Sequence, residues 1–212
     1  MTLASGNAAV HGATAIEQYA DTAKRYLADL AEQTALVDTE RLAAFTSLVT
    51  GTLDTGRTVF LAGNGGSAST AGHMACDWLN ACARARMDRA DVVSLADGVA
   101  VLTALANDLS FEDVFVSQLR RRGAPDDLLV LLSVSGSSGN LVEAARWARH
   151  NGLKVAGLLG DAGALAEHCD VSVVLGGGDY GLTEDLHLTV NHIVVRALGG
   201  GVPLRLPDRT SA

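Results

Sequence analysis

Histidine and carboxylate side chains recur at helical spacing in two stretches of this 212-residue sequence. His73 and Asp77 stand four residues apart, which puts them on one face of a helix. Further on, TEDLHLTVNH gathers Glu184, Asp185, His187 and His192 in ten residues. Imidazole and carboxylate together suit zinc or a similar divalent ion. The same groups suit a base and an acid that move a proton, and spacing alone does not separate the two uses. A single histidine on an apolar helix is usually a core residue. Two helices that each carry carboxylate and histidine on one face raise the weight of a chemical role.

Two loops could hold an anion for these groups to act beside. LAGNGGSAST, residues 61–70, places Gly63, Gly65 and Gly66 directly after the apolar run TVFLA and before small hydroxyl residues. Glycine there costs backbone order, so the bare backbone or an unusual dihedral angle is needed. GNGGSA fits the dinucleotide pattern G-x-G-x-x-A, but that fold also wants an acidic residue about 20 positions on. Asp97, at the end of the next apolar run, lies 34 positions beyond Gly63. A Walker loop is excluded because no Gly-Lys-Ser/Thr follows. The second loop, SVSGSSGN at 133–140, supplies Ser133, Ser135, Ser137 and Ser138 at the mouth of a helix. Helix capping needs one serine; four in six residues favour an anion such as a phosphomonoester, met by hydroxyls, backbone N–H groups and the positive helix end.

The elements that must position these residues follow from periodicity. Helices are expected at about 13–33 and 38–53, the second with Asp38 as an N-cap. Strands are expected at 58–62, 92–95, 127–133, 154–159 and 171–175. Helical segments fall between them at 67–83, 98–106, 111–121, 141–152 and 162–168, and a last helix covers 183–198. The run DLLVLLS has no polar alternation, so its strand is buried on both faces. Alternating strands and helices predict an α/β fold, a doubly wound five-stranded parallel sheet in the flavodoxin-like order 2-1-3-4-5. That order makes the first and third strands neighbours at the switch point, where ligands bind. The glycine loop and the serine loop leave those two strands. The first two helices precede every strand and are expected to form an antiparallel hairpin. The reading is one domain over 13–200, with the hairpin at 13–55 and the α/β core at 56–200, and loose tails at 1–12 and 201–212.

Composition narrows the function classes. A net charge of −8 with scattered Lys and Arg argues against a nucleic-acid ligand held on a broad basic face. It leaves room for a small phosphorylated ligand. No stretch approaches the length of a membrane span, and MTLASGNAAVHG has neither the basic nor the apolar region of a signal peptide. A cytoplasmic protein is expected, with Cys76, Cys82 and Cys169 as buried, unpaired side chains.

Taken in order, GNGGSAS, His73 with Asp77, AND at 106–108, SVSGSSGN and EDLHLTVNH resemble the sugar isomerase (SIS) domain. Within it they resemble the sedoheptulose-7-phosphate isomerase, or phosphoheptose isomerase, group, over nearly the whole chain. The resemblance implies an aldose–ketose isomerase whose base falls on Asp77 and whose acid falls on His192. It implies phosphate binding by Ser133, Ser135 and Ser138 together with Ser67, and sugar contacts from Asn64, Asp108 and Glu184 beside Gly65 and Gly66. It also implies zinc, held by His73, Asp77, Glu184 and His192, and a homotetramer with sites between subunits. Three departures stand out. Asp77 takes the place of the group's glutamate, Glu184 that of a glutamine, and Gly181 that of an aspartate. On an ideal helix Asp185 is better aligned with His192 than Glu184 is. Other implied readings are a non-catalytic SIS protein that associates with a replication initiator, or an enzyme for another sugar phosphate.

Overall fold

The computed structural model describes residues 8–201, and their side chains from residue 15. Among the described residues, those up to Leu36 and those from Val37 onward form two compact units. The first contains helix α1, Ala8–Ala35, which starts ahead of the expected position 13. The N-terminal tail before residue 8 and the C-terminal one after residue 201 lie outside the described residues.

The second unit opens with α2, Thr39–Asp54, capped by the Asp38 carboxylate, which accepts from the N–H groups of Glu40 and Arg41. It continues through β1 (Thr58–Gly63), α3 (Gly66–Arg84), β2 (Asp91–Ser94), α4 (Val99–Asp108), α5 (Val116–Arg122) and β3 (Leu128–Ser133). Then come α6 (Gly139–His150), β4 (Lys154–Leu159), β5 (Val171–Val174) and α7 (Tyr180–Leu198). All strand pairs are parallel and the order is 2-1-3-4-5, as expected. Every residue of β3 is buried. Because side chains alternate across a strand, Phe60, Ala62, Leu129 and Leu131 pack on one face, against Leu119, Leu141, Ala144 and Ala148 of α5 and α6. The other face takes α2 and α3, with α7 packed on both helices.

Three local differences from the periodicity stand out. The expected helix at 111–121 splits into a single 3-10 turn and α5, because the Ser110 hydroxyl accepts from the Asp113 N–H and starts the turn separately. The segment 162–168 holds only a short 3-10 turn at Ala166–His168. Helix α7 begins three residues early, since the Asp179 carboxylate caps it by accepting from the Leu182 N–H at 2.9 Å. Of the cysteines, Cys82 is buried, Cys169 is half-buried and Cys76 is exposed on α3, so the expectation of burial fails for Cys76.

Candidate active site

Gly63 of β1 pairs with Leu132 of β3, so the loops that follow leave the sheet at the same level. The glycines answer to geometry. Gly65 has φ 56° and ψ −124°, outside the region open to other residues. A Cβ on Gly63 would come within 2.9 Å of Ser67, including its backbone. The two loops are tied by a reciprocal amide pair that the sequence did not advertise. Asn64 Nδ2 donates to Asn140 Oδ1 at 3.0 Å, and Asn140 Nδ2 donates back to Asn64 Oδ1 at 2.9 Å.

Between the loops lies a cavity of about 290 Å³ lined by Asn64, Gly65, Gly66, Ser67, Ser133, Ser135 and Ser138, with Tyr180 and Glu184 from α7. Ser133 and Ser135 shape the loop, their hydroxyls accepting from the N–H groups of Gly136 and Ser137. Ser138 stands at the N-cap position of α6 yet makes no side-chain cap bond. Gly65 likewise gives α3 no side-chain cap. Two helix N-termini thus meet one cavity with donors left for an anion. The Glu184 carboxylate lies against the Gly66 backbone, in space that a side chain at 66 would need.

The histidine and carboxylate groups converge further along the same helices. Asp77 Oδ2 lies 3.1 Å from His73 Nε2 and 3.9 Å from His192 Nε2. The two imidazoles meet edge to face, with ring centroids 6.1 Å apart. One donor atom from each of the three residues falls within 4.8 Å of the others. Two ligands on a tetrahedral zinc at ~2.0–2.1 Å stand about 3.3 Å apart; Asp77 lies at 3.1 Å from His73 and 3.9 Å from His192, so the histidines must draw in toward each other to share an ion. Three protein ligands with one open position is the pattern of a catalytic zinc, and the donor set fits that metal. Glu184 is not in this group. It sits eight residues before His192 on α7, about 12 Å along the axis at 1.5 Å per residue, and lines the loop cavity instead. Asp185 is half-buried. Asp108 is exposed at the end of α4, where it accepts from Asn107 Nδ2, and it does not line the cavity.

Two further residues of α7 went unnoticed or unassigned in the sequence. Asn191 is fully buried and donates from Nδ2 to Asp77 Oδ2 at 2.7 Å. His187 is fully buried, and burial pushes its pKa down to about 4. The Leu158 backbone opposes that shift only in part, and neither ring nitrogen reaches hydrogen-bond geometry among the described residues. This histidine is a neutral core residue. It is no part of the His73–Asp77–His192 cluster.

Comparison with known proteins identifies the family and the fold. Residues 18–160 match the SIS domain family. The phosphoheptose isomerase of Chlorobaculum tepidum is 35% identical over 187 residues, covering 87% of this chain and 90% of its own. That of Chlorobaculum parvum is 38% identical over 174 residues, covering 80% of this chain and 83% of its own. The solved structure of the phosphoheptose isomerase from Neisseria gonorrhoeae superposes with a TM-score of 0.75 at 25% identity, over 87% of this chain and 98% of that one.

Proposed function

Because this chain belongs to the phosphoheptose isomerase family of SIS-domain proteins, we propose that it converts sedoheptulose 7-phosphate to D-glycero-D-manno-heptose 7-phosphate by aldose–ketose isomerisation. The observation that carries the reading is the meeting of His73, Asp77 and His192 on the helices that also wall the loop cavity. His73 stands seven residues along α3 from Gly66, about 10 Å at 1.5 Å per residue. An extended seven-carbon sugar phosphate bridges such a distance, with its phosphate between the loops and its carbonyl end at the cluster.

In this reading the substrate phosphate takes hydrogen bonds from Ser133, Ser135, Ser138 and Ser67 and from the backbone around Gly65 and Gly66. Asn64, held by Asn140, faces the sugar. Fixing the phosphate orients the far end of the chain for reaction. Asp77 removes the proton on the carbon next to the carbonyl, and His192 gives a proton to the carbonyl oxygen. An enediol results. Asp77 then returns its proton to the neighbouring carbon, and His192 takes one from the other oxygen, so no proton is gained or lost. A zinc ion held by His73, Asp77 and His192 would supply Lewis-acid polarisation of the carbonyl. Glu184, at the cavity, is assigned to the sugar hydroxyls.

The active form is a homo-oligomer, a tetramer with sites between subunits. Two features support this. Helix α4, VAVLTALAND, is strongly apolar yet has no buried residue, with Val99 70% exposed. The His73 and His192 side chains are 50% and 61% exposed, open to a neighbouring chain. Asp108, exposed at the end of α4, would then reach substrate in a neighbouring subunit. No helix among the described residues is long and apolar enough to cross a membrane, which fits the proposed cytoplasmic location. The test is to incubate chelator-treated protein with sedoheptulose 7-phosphate, with and without added zinc, and follow the aldose product. Product with zinc and little without it is expected; no product in either arm refutes the reading.

A further inference from the structure

Asn191 contacts the carboxylate at the centre of the cluster more closely than either imidazole does, at 2.7 Å against 3.1 and 3.9 Å. All three contacts fall on Asp77 Oδ2. The amide is fully buried, and its own Oδ1 meets no hydrogen-bond partner among the described residues. A buried carbonyl left unpaired is destabilising, a cost that an apolar side chain of the same shape would avoid. The bond to Asp77 is what the amide contributes in return.

An aspartate needs such help for a simple reason. Its terminal torsion is broad and roughly two-fold, so a carboxylate without a fixed donor swings between orientations. Asp77 also reaches one methylene less far than the glutamate its relatives are expected to carry there, so aim matters more. A neutral amide sets the aim without the attraction a lysine or arginine would exert on the negative charge. We infer that Asn191 is the positioning residue for Asp77: its Nδ2 holds Oδ2 between the two imidazoles and leaves Oδ1 to meet the substrate's proton. The role rests on the isomerase reading in that Asp77 acts as the base.

The test replaces the amide by an apolar group of similar size, Asn191→Leu, in the full-length protein. The expected result is a fall in kcat of about 10- to 100-fold, as for other small misplacements of a reacting group. KM stays within about twofold, since ground-state binding is untouched. The thermal midpoint changes little, since the variant loses the bond to Asp77 together with the unpaired Oδ1. A crystal structure of the variant shows the Asp77 carboxylate rotated away from His73. Wild-type kcat, or an Asp77 carboxylate that has not moved, overturns the inference. If Asn191→Leu does not fold, Asn191→Ala, which cannot clash, takes its place; failure of both to fold also overturns it, because the residue is then purely structural. An inactive wild-type protein refutes the isomerase reading instead, and the position of Asp77 in the variant crystal still decides the role of Asn191.

Discussion

Lowering the pH toward 5 will weaken this fold through one side chain, His187. The imidazole is fully buried, and burial pushes its pKa down to about 4, against an ordinary value of 6.5. Between those two values the unfolded chain binds a proton that the folded chain does not. Stability contributed by the neutral ring is therefore complete above about pH 6.5 and is lost as the pH falls toward 4. The whole difference of 2.5 pKa units is worth about 3 kcal/mol at 1.36 kcal/mol per unit. Integrated from pH 7.5 to 5, the loss is about 2 kcal/mol. The measurement is urea unfolding at both pH values for the wild type and for His187→Leu. Carboxylates elsewhere titrate in both proteins, so the difference between the two isolates the histidine. The wild type should lose about 2 kcal/mol more than the variant across that interval. Equal losses would show that the ring is solvated or paired in the folded protein, and the argument from burial would fail.

Two substitutions in the site itself give opposite signatures. Asp77→Asn removes the base and should lower kcat by at least about 100-fold, while calorimetry with inorganic phosphate shows unchanged binding; full residual activity removes Asp77 from the mechanism. Ser138→Ala deletes a hydroxyl that makes no cap bond, so the thermal midpoint should not move. Loss of one hydrogen bond to a charged phosphate, about 1.5 kcal/mol, should raise KM for the sugar phosphate about tenfold.

The sheet and its two loops were legible because each rests on a local signal that tertiary structure has no reason to override. DLLVLLS has no polar alternation and becomes a strand buried on both faces. GNGGSAS and SVSGSSGN carry glycines and serines where a strand turns into a helix, and strand order then makes them neighbours. The helix at 111–121 was misread because its apolar spacing runs on across Asp113, whose turn with Ser110 interrupts the backbone pattern without changing that spacing.

The polar face of α7 was harder to read, since the sequence gives residue types along a helix but not what each one meets. Glu184, His187, Asn191 and His192 lie within nine residues and do four different things. Glu184 is in the first turns of α7, level with the crevice, so it joins the loop cavity. His192, two turns on, is level with Asp77 on α3. His187 falls on the buried stripe with Leu186, Val190 and Val194, where a charge would be unsolvated. Asn191 shares that stripe but sits at its edge, near enough to Asp77 for its amide to donate outward. Depth along the helix separates the cavity residue from the cluster residue, and rotation about it separates the core histidine from the exposed one. Placing α7 against α3 fixes both coordinates at once, so the packing of these two helices sorts the carboxylates and imidazoles into their roles.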